Sequence, residues 1–187
     1  MREIAKENGE PVLRDKSFEL LLTTVKKEKP KKILEIGVNL GLSGIAMLLT
    51  ESGASLTGIE IDEQKIALAK NNYKKFGVFD RAKIFQGDAS EIIPVLTGEY
   101  DFIFLDGPKG HYYEYLPNLL SVLKVGGTLF ADNVLFRGYV FSENTPHRFN
   151  TTKHSMENFI NAITKDENLR TELYQIEDGV SITKKLK

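Results

Sequence analysis

Hydrophobic positions along this chain switch between two periods. Residues 16–29 read as an amphipathic helix, with Phe18, Leu21, Leu22 and Val25 on one face and Pro30 as its stop. Residues 32–37 read as a short apolar strand that ends at Gly37. A helix over 43–51 and a strand over 55–61 follow, and Asp62 then caps a helix that runs to about Phe76. Residues 82–86, 100–105 and 127–131 predict three further strands, separated by helices over 89–96 and 112–123. The 100–105 segment is apolar enough to be covered on both faces. Strand and helix thus alternate five times, which predicts a parallel sheet with helices on both sides. The tail breaks the pattern. Residues 136–152 are polar and irregular, 153–170 read as a helix, and 172–185 read as two strands around Glu177-Asp-Gly179. Asp-Gly is a tight-hairpin signal, so an antiparallel hairpin is expected at the end of the sheet.

Composition narrows the classes. A length of 187 residues, without repeats, low-complexity tracts or a linker, suits one domain: an N-terminal helical segment over 1–30 and a core over 31–187. The net charge of -1 calls for neither nucleic acid nor an acidic surface as partner. With no cysteine, disulfides and thiolate metal sites are excluded. The first ten residues lack the apolar run of a signal peptide, and no segment is long and apolar enough to span a bilayer. A cytoplasmic protein without a membrane partner is expected.

In an open parallel sheet, ligands bind beyond the carboxyl ends of the strands. The first strand leads into Glu35-Ile-Gly-Val-Asn-Leu-Gly41-Leu-Ser43. Gly37 permits a sharp turn and Gly41 a close approach of backbone to a ligand. The following helix presents free amides to an anion, and Ser43 adds a hydroxyl. The close G-x-G pair of a dinucleotide site is missing, so a carboxylate is favoured over a pyrophosphate. Glu60, about 20 residues on at the end of the second strand, suits a ribose. Asp88 ends the third strand, where it either faces an adenine edge or caps the helix from Ala89.

The fourth strand ends in Leu105-Asp106-Gly-Pro-Lys109 and the fifth in Ala131-Asp132-Asn133, on the same rim. Two carboxylates and an amide oxygen form an all-oxygen set suited to Mg²⁺, with Mn²⁺ or Ca²⁺ as substitutes. Zinc is disfavoured, because Cys and paired His spacing are absent. A metal there would bind and acidify an acceptor hydroxyl, and Lys109 would take the proton or stabilise the developing alkoxide. Asp106 also reads as a strand-end cap, Asp132-Asn133 as turn residues and Lys109 as a solvated surface lysine.

These segments, with Gly126-Gly-Thr-Leu-Phe-Ala-Asp-Asn-Val-Leu-Phe-Arg-Gly138 and Asp178-Gly179, resemble the cation-dependent O-methyltransferases, the class that includes catechol O-methyltransferase. The resemblance runs from about Pro11 onward. It implies a Rossmann-like class I methyltransferase fold, with a mostly parallel seven-stranded sheet and a C-terminal antiparallel hairpin. S-adenosylmethionine is the implied cofactor, with Leu13, Glu35, Gly37, Gly41, Ser43, Glu60, Asp88, Ala89 and Asp106 around it. Asp106, Asp132 and Asn133 would hold the metal, Lys109 would be the catalytic base, and Arg137 would meet the acceptor. Val38-Asn39 and Gly107-Pro108 depart from the usual pattern, and the N-terminus is short. No match is found for the acidic residue that catechol enzymes set on the second hydroxyl. The chain is most similar to a bacterial branch that includes the methyltransferase of 5-hydroxyuridine at the tRNA wobble position. The implied acceptor is therefore a phenolic small molecule or a tRNA nucleoside, and the implied assembly a homodimer. For a splayed base, Arg137, Arg148, Lys153, Phe136, Tyr139, Phe141 and Phe149 are the candidates. Two other readings stay open: an NAD-dependent oxidoreductase and a non-catalytic nucleoside-binding module.

Overall fold

A computed structural model describes residues 12–187. Pro11 and the first part of the expected N-terminal segment lie outside the described residues. The elements are α1 (Asp15–Glu28), β1 (Lys32–Ile36), α2 (Leu42–Thr50), β2 (Ser55–Glu60), α3 (Glu63–Lys75), β3 (Ala82–Gln86), α4 (Ala89–Ile92), β4 (Tyr100–Leu105), α5 (Tyr112–Val122), β5 (Leu123–Asp132), α6 (Asn150–Lys165), β6 (Leu169–Tyr174) and β7 (Val180–Lys185). The seven strands form one sheet in the order β3-β2-β1-β4-β5-β7-β6. The first five are parallel, and β7 runs antiparallel to both β5 and β6. Strand order reverses between β1 and β4, so a crevice opens there beyond the strand ends.

Period-two alternation assigns each strand residue to one face. Ile33, Phe102, Phe104 and Phe130 pack beneath Leu21 and Val25 of α1, Met47 and Leu48 of α2 and Tyr73 of α3. Leu34, Ile36, Ile103 and Leu105 pack beneath Tyr112, Leu119, Met156, Phe159 and Ile163 of α5 and α6. Both faces are covered, which is why β4 reads as a continuous apolar run. No helix among the described residues is long and apolar enough to cross a membrane.

Several boundaries differ from the sequence expectation. The α1 helix ends at Glu28, because Lys29 takes a left-handed conformation as its C-cap. Its first amides have no local cap. Lys16 and Ser17 instead donate to the Glu177 carboxylate, at 3.2 and 2.9 Å. Pro94 turns the end of the fourth helix into a 3-10 turn over Ile93–Val95. The β5 strand starts at Leu123, directly out of α5. The last helix stops at Lys165, not at 170. Asp166 accepts from the Asn168 amide at 2.8 Å, an Asx turn that sends Leu169 into β6. The hairpin is joined by five residues, 175–179, and not by a two-residue turn. Both Glu177 (φ 51°) and Gly179 (φ 82°) are left-handed there.

Candidate active site

A cavity of about 670 Å³ opens at the crevice between β1 and β4. Its wall runs from Glu60, Asp88 and Ala89 at one end to Asp132, Asn133, Arg137 and Asp178 at the other. Gly37, Ser43, Asp106 and Lys109 lie between, and Leu13 closes one side. The rim predicted from the strand ends is therefore one continuous surface.

The first half is set by the turn after β1. At Gly37 φ is 88°, and a Cβ there would stand 2.5 Å from the Asp106 carbonyl oxygen. The tips of β1 and β4 can approach this closely only around a residue without a side chain. Gly41 has another reason. Its Cβ would stand 2.6 Å from the Tyr73 ring, on the side away from the cavity, whose wall does not include Gly41. What the fold requires of Gly41 is close approach to α3. Glu35 also lies behind the wall. It is fully buried and accepts a hydrogen bond from the Ser43 hydroxyl, so Ser43 stands between it and the cavity.

Glu60 faces the cavity and accepts from three backbone amides. These are Asn39 at 2.8 Å, Ile61 at 3.0 Å and Asp62 at 3.1 Å, and they fix its carboxylate against the turn. Asp88 is exposed and caps α4, accepting from the Ser90 amide and hydroxyl, each at 2.8 Å. Those bonds hold its carboxyl below the usual carboxylate range. The capping alternative for Asp88 is thus realised, while the residue still lines the cavity.

The second half is built from β4, β5 and the hairpin tip. The Lys109 ammonium lies 2.7 Å from Asp106 Oδ1 and 3.1 Å from the Gly107 carbonyl. Burial opposes its charge, but the Tyr112 side chain and the Asp106 carboxylate outweigh burial and hold Lys109 above the ordinary lysine value. Tyr112 is fully buried and donates toward the carbonyls of Leu105 (2.9 Å) and Asp132 (3.1 Å), tying the ends of β4 and β5 together. Asp132 is 2% exposed. Burial pushes its carboxyl up to about 7, and the nearby charge of Asp106 adds to the effect. Asp132 Oδ1 has no hydrogen-bond partner among the described residues.

That orphaned oxygen tests the metal reading. A buried carboxylate oxygen without a donor is costly unless a cation meets it. Asp106, Asp132 and Asn133 line the same cavity and supply only oxygen, so the residues fit a hard divalent cation. Among the described residues no three His, Cys, Asp or Glu side chains gather as a metal-binding group.

Sequence reasoning gave Glu177 and Asp178 a place in the hairpin turn and no role in the site. The main chain of 178–179 accepts from the amides of Leu135 (2.9 Å) and Val134 (3.0 Å), and the Asp178 side chain accepts from the Arg137 amide. The hairpin tip thus fastens the loop of Val134, Leu135 and Arg137, and through Glu177 it fastens α1. Phe136 meets Tyr139 and Phe149 edge-on at 5.7 and 5.8 Å, and Tyr139 stacks on Phe149 at 5.4 Å. The guanidinium groups of Arg137 and Arg148 stand 5.8 and 4.7 Å from the Phe149 ring. Of this cluster, Phe136 and Arg137 reach the cavity wall. Phe141 is exposed, and Lys153 is tied to the Ser142 carbonyl at 2.6 Å.

The model of a family described as O-methyltransferase matches residues 10–186. Tapetum-specific methyltransferase 1 of Arabidopsis thaliana is 32% identical over 188 residues, covering 96% of this chain and 79% of its own length. Catechol O-methyltransferase of Niastella koreensis is 36% identical over 121 residues, 62% of this chain and 54% of that protein. The crystal structure of Podospora anserina methyltransferase PaMTH1 with SAH bound matches with a TM-score of 0.82 at 27% identity. That match covers 93% of this chain and 80% of the other.

Proposed function

The chain belongs to the O-methyltransferase family and is an S-adenosylmethionine-dependent O-methyltransferase; we propose that it methylates a hydroxyl flanked by a second oxygen, as in a catechol, with a divalent cation held by Asp106, Asp132 and Asn133. The oxidoreductase and non-catalytic readings are set aside by that membership. The observation that carries the proposal is the unpartnered, buried Asp132 Oδ1, beside Asp106 and on the same cavity wall as Glu60.

In this reading Glu60 takes the ribose hydroxyls, Ser43 the methionine carboxylate, and Ala89 with Asp88 the adenine. Leu13 covers the donor from the side of the N-terminal segment. The reaction breaks the carbon–sulfur bond of the sulfonium and forms a carbon–oxygen bond. Sulfur keeps the electron pair, leaving S-adenosylhomocysteine, and the acceptor oxygen gives up its proton. Asp106, Asp132 and Asn133 would hold a cation whose charge would lower the pKa of the acceptor hydroxyl, and Asp106, once committed to it, would favour protonated Lys109 less. Lys109, after releasing its own ammonium proton to solvent, is the base that takes the acceptor's proton. Gly37 and Asp106 hold the donor and acceptor halves in register, so proximity supplies much of the rate.

A second acceptor class is favoured by one observation, the aromatic cluster of Phe136, Tyr139 and Phe149 with Arg137 and Arg148, of which Phe136 and Arg137 line the cavity. Stacking faces with cations beside them suit an unstacked nucleobase such as 5-hydroxyuridine in tRNA. Incubation with methyl-labelled S-adenosylmethionine, against catechol and against tRNA carrying 5-hydroxyuridine, tests both. Label in catechol supports the first acceptor and label in tRNA the second. Label in neither overturns the acceptor assignment.

A further inference from the structure

Glu35 is fully buried behind Ser43, which stands on the cavity wall. Among the described residues, the groups that face it bring no positive charge. From α2 come the Ser43 hydroxyl and the Gly44 backbone, from α3 the Tyr73 hydroxyl, and from the ends of β4 and β2 the acids Asp106 and Glu60. Glu35 Oε2 and the Tyr73 hydroxyl have no hydrogen-bond partner among the described residues. Room for them comes from Gly44, where a Cβ would stand 2.6 Å from the Tyr73 hydroxyl and 2.8 Å from Glu35 Oε2. A glycine inside a helix costs about 1 kcal/mol relative to alanine, so the fold accepts a penalty in α2 to keep an acid in this place. A buried acid without a cation is itself costly, and such groups gather at functional sites.

The Ser43 hydroxyl has one proton to donate. When Glu35 is ionised, that proton points inward to Glu35, and Ser43 offers only lone pairs to the cavity. When Glu35 carries a proton, Glu35 donates to Ser43 and the serine proton is free to point outward. An anionic ligand such as the methionine carboxylate of the cofactor needs the second arrangement.

We infer that Glu35 acts as a neutral acid, a positioning residue that turns the Ser43 hydroxyl toward the cofactor carboxylate, so that cofactor binding weakens when Glu35 loses its proton. Burial pushes the Glu35 carboxyl up to about 8. The Ser43 hydrogen bond opposes the rise, and the charges of Asp106 and Glu60 add to it. The switch therefore falls just above neutral pH. This inference rests on the cavity being the S-adenosylmethionine site.

The test is calorimetric titration with S-adenosylhomocysteine from pH 7 to pH 9.5, on wild type and on Glu35→Gln. A glutamine amide donates to Ser43 at every pH, which mimics the protonated acid. The expected result is a wild-type Kd that weakens by about tenfold or more relative to the variant over this range, the worth of one charge-assisted hydrogen bond. The ligand's own amino group titrates alike in both proteins and cancels in the comparison. At pH 8.5, titrations in two buffers of different ionisation enthalpy are expected to show proton uptake by wild type in excess of any seen with Glu35→Gln. An identical pH slope in the two proteins, or equal proton uptake, overturns the inference while leaving the cofactor site intact. No binding to wild type at pH 7 overturns the cofactor reading itself, and the inference with it.

Discussion

Replacing Gly37 with alanine tests the contact that brings the two halves of the cavity together. Two costs add. The backbone at Gly37 has φ 88°, a conformation that costs an L side chain about 1–2 kcal/mol. The new Cβ would also lie 2.5 Å from the Asp106 carbonyl oxygen and 3.0 Å from its carbonyl carbon. Both are backbone atoms, so relief requires β1 and β4 to part, at a further cost of about 1–3 kcal/mol, as for other overpacked sites. The sum is about 2–5 kcal/mol. For a domain of this size each kcal/mol lowers Tm by about 2–4 °C, so a loss of roughly 10 °C is expected. Gly77→Ala is the control. Its φ is 69° and nothing lies within 4 Å of its Cβ, so it carries the conformational cost alone. Thermal unfolding followed by circular dichroism separates the two, and titration with S-adenosylhomocysteine is expected to show weaker binding only for Gly37→Ala. Equal melting temperatures for the two variants, with unchanged ligand affinity, refute the close-contact argument.

Three other outcomes are expected. Lys109→Ala is expected to cut turnover by about 10²–10⁴-fold with little change in S-adenosylhomocysteine affinity, and unchanged turnover in a labelled-methyl assay would remove Lys109 from proton transfer. Glu60→Ala is expected to weaken S-adenosylhomocysteine binding by roughly 10–100-fold, because charged hydrogen bonds to the ribose are lost, and calorimetry reads this directly. The third outcome concerns stability. Glu35 has a folded pKa raised from 4.5 to about 8, so its stabilising contribution is complete below pH 4.5 and is lost as pH rises through about 8. Urea unfolding at pH 5 and pH 8.5 is expected to show wild type losing about 4 kcal/mol more than Glu35→Gln over that interval, and parallel losses in the two proteins would contradict the raised value.

The placements legible in the sequence are those for which local pattern and topology coincide. Asp106, Lys109, Asp132 and Asn133 follow strands whose apolar runs are unmistakable, and parallel strands bring their ends to one rim. The features missed are long-range. Gly41 looks like a ligand-approach glycine, yet its partner is the Tyr73 ring brought in by α3. Glu35 sits in the signature of the turn but points inward, because strand alternation sends it to the α2 and α3 face. Gly58 has no local reason to be glycine; a Cβ there would stand 2.4 Å from Val38 Cγ2, so it makes room for one of the four residues that depart from the family pattern. The hairpin was expected as a tight Asp-Gly turn, but the connection is five residues long and places Glu177 where its carboxylate accepts the first amides of α1. No short-range signal marks a cap supplied from 160 residues away.

The central claim is that methyl transfer to oxygen here depends on a divalent cation bound at Asp106, Asp132 and Asn133. The direct measurement is label transfer from S-adenosylmethionine to a catechol by cation-stripped protein, before and after Mg²⁺ or Mn²⁺ is restored, with Asp132→Asn in parallel. The account predicts negligible transfer without cation, recovery on its return in wild type, and little recovery in the variant. Full transfer by stripped protein in excess chelator would contradict it.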